Sequence, residues 1–210
     1  PAEKLSSTIT RFRVRVPGWS EPAWVHAMVS PELAASLLKR VNPILRDAIA
    51  SEQPVKLTIQ SQGFAVPRGG EAGLGGVRAT GRLELGTLTL KSGGLLSTLL
   101  DALERRQTQE IKAVVAPIDL ALANGVLSYS EGSITVDNLV LEARGKVDLV
   151  NETVDLITGV SGQTLTKAFS ELRDVIDPTT VIEVPLRGPI DDPKLDMAAL
   201  ATEVAALGAK

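Results

Sequence analysis

The residues of this chain that are able to do chemistry are few, and they do not cluster. One histidine and no cysteine occur in 210 residues. A multi-histidine metal centre, a zinc ribbon, an iron–sulfur cluster and a thiol nucleophile are therefore excluded. His26 lies between Trp24 and Met28 with no motif around it, and reads as a structural or surface residue. Gly73-Leu74-Gly75-Gly76 resembles a phosphate-cradling loop only in its glycines. It lacks the Lys-Ser/Thr pair of a P-loop, and the third glycine of the dinucleotide fingerprint falls at Arg78.

The remaining candidates have equally plain readings. Asp191-Asp192 precedes Pro193, a context in which carboxylates cap turns and helix starts. Ser161-Gly162 lacks the G-x-S-x-G frame of a nucleophile elbow. Asn151-Glu152-Thr153 has the form of a glycosylation sequon, in a stretch that reads as a tight turn. Arg11, Arg13 and Arg15 alternate, giving either a basic stripe for anionic headgroups or acidic protein, or a solvated strand face. No set of residues joins a nucleophile, a base and an oxyanion donor. The expectation is a non-enzyme with no catalytic residue, metal or cofactor.

Composition narrows the partners. Twenty-two basic against 25 acidic residues leave a net charge of −3, unsuited to nucleic acid. Hydrophobic residues make up 44%, yet there are only three Phe, two Trp and one Tyr. An aliphatic interior of this kind suits a plain core or a cavity for acyl chains, whereas binding hot spots and base-stacking platforms favour aromatics. The longest uncharged stretches, 57–67 and 120–130, are about 11 residues, short of the roughly 20 that span a bilayer. The chain starts at Pro1 rather than Met, so it reads as a piece of a longer polypeptide whose anchor or export signal is lost. The absence of cysteine is neutral about redox compartment.

The elements that must position these residues follow from periodicity. Residues 7–16 alternate as a strand and stop at Pro17-Gly18. Ser30-Pro31-Glu32 supplies an N-cap, an N1 proline and a first-turn acid. The helix that follows carries Leu33, Leu37, Leu38, Val41, Ile44, Leu45, Ala48 and Ile49 on one stripe, with Pro43 kinking or splitting it near Asn42. Period two begins at Val55 with Leu57 and Ile59. A Gly-rich loop over 67–76 leads to a strand over 77–85, and its phase flips between Leu85 and Leu88, which predicts a bulge near Gly86-Thr87.

A leucine-rich helix begins at Ser92-Gly93-Gly94, and residues 111–157 then form the longest β region. Asn124-Gly125 signals a type I′ hairpin, Glu131-Gly132 and Asn151-Glu152 further turns, and Gly145 a kink. Helices over 163–176 and 197–207 flank a last strand, Val181 to Leu186, in which Pro185 suits an edge or bulge. The fold class is α+β: a curved antiparallel meander with amphipathic helices packed on or capping its apolar face. No linker divides it, so residues 1–210 form one domain.

The order of motifs in the last ninety residues has a relative. Gly125-Val126-Leu127, the hairpin Gly145-Lys146-Val147-Asp148-Leu149, and the run from Val184-Pro185-Leu186 through Gly188-Pro189-Ile190-Asp191-Asp192-Pro193-Lys194-Leu195 resemble the C-terminal region of the AsmA-like family of bacterial envelope proteins. The stretches 30–48 and 81–103 are similar to upstream elements of longer members, so the likeness runs from about Val29 to the end. It implies a curved antiparallel sheet with a hydrophobic concave face, in a periplasmic protein usually tethered to the inner membrane. It also implies association with phospholipid transport or outer-membrane lipid balance, and it brings no catalytic residues.

On that basis the acyl-chain contacts are expected at Leu57, Ile59, Leu83, Leu85, Leu120, Leu122, Leu141 and Leu149. The expected partners are phospholipid acyl chains, the membrane through the missing part of the parent chain, and an envelope protein at the Val181 to Leu186 edge. The alternative is a structural or protein-interaction module of an envelope assembly protein with a closed core.

Overall fold

The computed structural model describes residues 9–13, 23–62, 64–65, 73–91, 110–136, 139–163, 166, 177–196, 198–199 and 202. Chain order within these residues begins with β1 (Ile9–Arg13) and β2 (Ala23–Ala27), followed by helix α1 (Pro31–Ser36). Then come β3 (Ala48–Ser51), β4 (Val55–Ile59), β5 (Arg78–Glu84), β6 (Gly86–Lys91), β7 (Glu110–Val115), β8 (Ile118–Ala123), β9 (Val126–Tyr129) and β10 (Ser133–Val136). The last are β11 (Leu139–Asp148), β12 (Thr153–Ser161), β13 (Val181–Pro189) and β14 (Lys194–Leu195). All belong to one sheet, and every pairing is antiparallel.

The sheet forks at β11. One edge of β11 is shared, β10 pairing with Leu139 to Glu142 and β9 with Gly145 to Asp148, while β12 runs along the other edge. One branch continues β9-β8-β5-β4-β2-β1, the other β10-β7-β6-β3. Four successive passes of the chain therefore break midway, each pass giving one strand to each branch. The breaks carry residues that suit them. Pro117 has no N–H to give a ladder. Gly86 has a φ of +62°, the left-handed conformation that accommodates the expected change of phase. Glu131-Gly132 is such a break between β9 and β10, not a chain reversal. Asn124 and Gly125 have φ values of 53° and 78°, as a type I′ turn requires.

The expected long helix is shorter than its pattern. Ser30 Oγ accepts from Leu33 N at 3.3 Å and caps α1, which ends after six residues. Two 3-10 turns follow at Leu38–Arg40 and Pro43–Asp47, the second capped by Asn42, whose Oδ1 accepts from Ile44 N at 3.0 Å. Pro43 removes a helical donor and its ring crowds the preceding turn, so the α-helix does not continue. Ala48 and Ile49, counted with the helical stripe, are instead in β3, which pairs with β6. The α+β expectation is thus met in part: the antiparallel sheet is present, α1 is the one complete α-helix among the described residues, and residues 162–163, 166, 198–199 and 202 are also helical. The helices expected from Ser92, over 163–176 and over 197–207 lie largely outside the described residues.

Residues 31–47 cross one face of the sheet, the inner face. Leu33, Ala34, Leu38, Val41, Ile44 and Leu45 join a buried cluster with Leu88 and Leu90 of β6, Leu139 and Leu141 of β11, Leu156 of β12, and Ile182 and Leu186 of β13. Each fully buried leucine or isoleucine contributes about 1.5–3 kcal/mol of transfer free energy. The segment is also tied to the far strands. Lys39 pairs with Asp191, Arg40 Nη2 lies 3.0 Å from Glu152 Oε1, and Arg46 Nη1 donates to the Asp191 carbonyl at 2.8 Å.

Candidate functional site

Alternation along the strands puts all eight candidate leucines and isoleucines on or beside the inner face, but not in one environment. Leu83, Leu85 and Leu141 are 5%, 1% and 0% exposed, fully inside the core. Leu57, Leu120 and Leu149 are half-buried and packed against its margin. Ile59 and Leu122 are half-buried beyond that margin. Four of the five half-buried positions lie on β4 and β8, the two strands flanking β5, and Leu149 follows β11, its N–H donating to the Gly125 carbonyl. Ile59 and Leu120 flank Gly81 across β4, β5 and β8, and Leu122 stands opposite Leu127 of β9. Gly81 adds no side chain to this row, and the space a Cβ would need is taken by the β4 backbone, the Thr58 carbonyl oxygen lying 2.6 Å from it.

The covered part of the inner face is closed by residues 31–47, and this half-covered aliphatic strip lies toward β4, β5 and β8. The core itself holds two buried hydroxyls without a hydrogen-bond partner among the described residues, Tyr129 Oη and Thr158 Oγ1. Burial pushes the Tyr129 phenol well above its ordinary range, and the nearby Asn42 side chain offsets part of that rise.

Two hollows open instead on the opposite, polar face, along the line of strand breaks. A cavity of 840 Å³ crosses from Gln60 and Thr80 to Asp155 and Arg187, and carries Arg82, Asp119, Arg144 and Lys146. A cavity of 420 Å³ adjoins it at Ser130, Arg144 and Ile157, and bears Glu131 and Glu142. Read along the chain, these charges are the solvated positions of alternating strands. Only pairing strands from residues 60 to 187 sets them around one trough, so no local signal marks it.

The other sequence candidates remain apart. His26 is half-buried on β2 against Trp24, ring centroids 4.8 Å apart, its Nε2 buried without a partner among the described residues. Asp191 pairs with Lys39, and that hydrogen-bonded ammonium holds its carboxyl below the ordinary carboxylate range. Asp192 pairs with Lys194 at 2.7 Å. Among the described residues no group of three or more His, Asp or Glu is placed to hold a metal ion.

Asn151 Nδ2 donates to Asp148 Oδ2 at 2.7 Å in an exposed turn, where Glu152 has a φ of +52°. Gly73–Gly76 is a 3-10 turn, and Ser161 ends β12. The backbones of Arg11 and Arg13 lie on β1, opposite His26 and Trp24, and Arg15 lies outside the described residues. The Val181 to Leu186 strand is not open along its whole length: β14 pairs with Leu186 and Arg187, and Asp196 N donates to the Pro185 carbonyl at 2.9 Å. No described helix is long and apolar enough to cross a membrane.

Comparison with protein-family models, with curated proteins and with solved structures finds no match.

Proposed function

We propose that this chain is a non-enzymatic lipid-handling domain of a bacterial envelope protein, taking acyl chains along the strip formed by Leu57, Ile59, Leu120, Leu122 and Leu149. The observation that carries the reading is the uneven cover of the inner face. One region is closed by residues 31–47, and the neighbouring aliphatic rows keep part of their surface in contact with solvent. An acyl chain laid on such a strip gains about 0.8 kcal/mol for each CH₂ it buries. The AsmA-like motif order supports the same assignment. That resemblance implies a periplasmic domain, within a chain tethered to the inner membrane, serving phospholipid transport or outer-membrane lipid balance.

Purified protein analysed by native mass spectrometry and by solvent extraction is expected to carry phospholipid. Leu122→Asp is expected to remove that lipid and leave the near-ultraviolet circular dichroism unchanged. A protein free of lipid, which also fails to take up fatty acid from vesicles, overturns the reading. The second reading, a structural or protein-interaction module with a closed core, is favoured by the full burial of Leu83, Leu85 and Leu141. Under it, no variant of the strip changes lipid content.

A further inference from the structure

The polar face carries a feature that is independent of the lipid reading. Its trough runs across the strands, not along them. On its floor Ser128, Lys146, Asp155 and Arg187 stand in one row through β9, β11, β12 and β13, each opposite the next. Arg144 lies two residues from Lys146 on the same face of β11, and Arg82 opposes Asp119 at the other end.

The four cations keep unspent donors. Among the described residues, Arg82 offers only Nη1 to Asp119 at 3.2 Å, Arg144 only Nη2 to Glu183, and Arg187 only Nε to Asp155 at 2.8 Å. A guanidinium has five N–H groups, so each keeps donors beyond its ion pair, and all three arginines line the trough. Lys146 has no ion pair or hydrogen bond among the described residues. The three arginines are between 48% and 66% exposed, so a ligand reaches them without unfolding anything.

We propose that this trough docks an extended acidic segment of a partner protein. Three strand spacings separate Arg82 on β5 from Arg144 and Lys146 on β11, about 14 Å at roughly 4.8 Å each. An extended peptide rises about 3.3 Å per residue, so carboxylates at positions i and i+4 match that span and point to the same side. Asp119 and Asp155 favour a peptide over a free polyanion. They repel bare phosphate, whereas a peptide brings backbone N–H donors that they and the hydroxyls of Thr80 and Ser128 can use. Ala121, in phase with Asp119 on β8, puts only a methyl group on the floor. Glu131 and Glu142 in the adjoining cavity bound the basic stretch on one side.

The test is a nuclear magnetic resonance titration of the isotopically labelled protein with the capped pentapeptide Glu-Ser-Gly-Ser-Glu, its Gln-Ser-Gly-Ser-Gln counterpart, and inorganic phosphate. The acidic peptide is expected to shift the amides of Ser128, Arg144, Lys146 and Arg187, with an affinity that falls as salt rises. Lys146→Glu is expected to weaken it at least tenfold, and Leu122→Asp, on the opposite face, to leave it unchanged. Lys146 is exposed, so the variant is expected to keep its fold, which circular dichroism checks. Absence of shifts, equal shifts from the glutamine peptide, or phosphate binding as tightly at the same amides overturns the proposal. Parent protein that binds the acidic peptide but carries and takes up no lipid overturns only the lipid reading.

Discussion

Lys39 and Asp191 stand 152 residues apart in sequence and meet in an ion pair where the segment after α1 reaches the turn between β13 and β14. Arg46 adds a hydrogen bond to the Asp191 carbonyl, so one acidic residue receives two cations from the same segment. The contact joins the first third of the chain to the last strands, over the most deeply buried part of the core.

The pH dependence of that contact follows from its sign. The Lys39 hydrogen bond and its charge hold the Asp191 carboxyl below its ordinary 3.8, so the contribution to stability is present above that value. It is lost as pH falls through the depressed native value. Asp191→Asn is expected to lower Tm only slightly, by about 2 °C or less, at neutral pH and to match the parent protein in strong acid. A thermal unfolding series from neutral pH to pH 2 checks this, and a difference that persists in strong acid contradicts it.

Tyr129 is the chain's one tyrosine, and its hydroxyl is buried without a hydrogen bond of good geometry. Burial raises its native value above 10, so the unfolded chain ionises first and stability falls as pH rises past 10. Phenolate absorbance is expected to appear together with unfolding. Tyr129→Phe is expected to change stability at pH 7 by less than about 1 kcal/mol and to flatten the alkaline decline.

Leu141 and Leu122 separate core from strip. Leu141, with no exposed surface, is expected to cost about 2–5 kcal/mol when replaced by Ala. Leu122→Ala is expected to cost about 1 kcal/mol or less, because its methyl groups already meet solvent. Urea unfolding of both variants reads the difference, and equal losses would place Leu122 in the core.

Gly145 marks the fork of the sheet. Its φ is +136°, and a Cβ there would sit against the Asp155 carbonyl oxygen. Gly145→Ala is expected to destabilise by at least about 2 kcal/mol. Circular dichroism during chemical unfolding measures it, and a neutral variant would mean that β11 runs straight through the fork.

Local chemistry is what the sequence states unaided. Ser30-Pro31-Glu32 starts α1, Asn124-Gly125 makes its turn, and the phase change before Leu88 falls on Gly86, because caps, turns and alternation depend on neighbours within a few residues. The helix pattern through Ile49 misleads for the opposite reason. A stripe of apolar residues describes burial, and Ala48 is as well buried in a strand beside Leu90 as on a helix.

Tertiary structure alone decided which apolar residues are core and which form the strip, since Leu141 and Leu122 have the same side chain and the same alternation. It also decided where the sheet forks, what Lys39 meets, and that Arg82, Arg144, Lys146 and Arg187 share one trough. Each of these depends on which strands lie side by side. That order is set by burying the inner face as a whole, a sum over the entire chain that no short window of sequence contains.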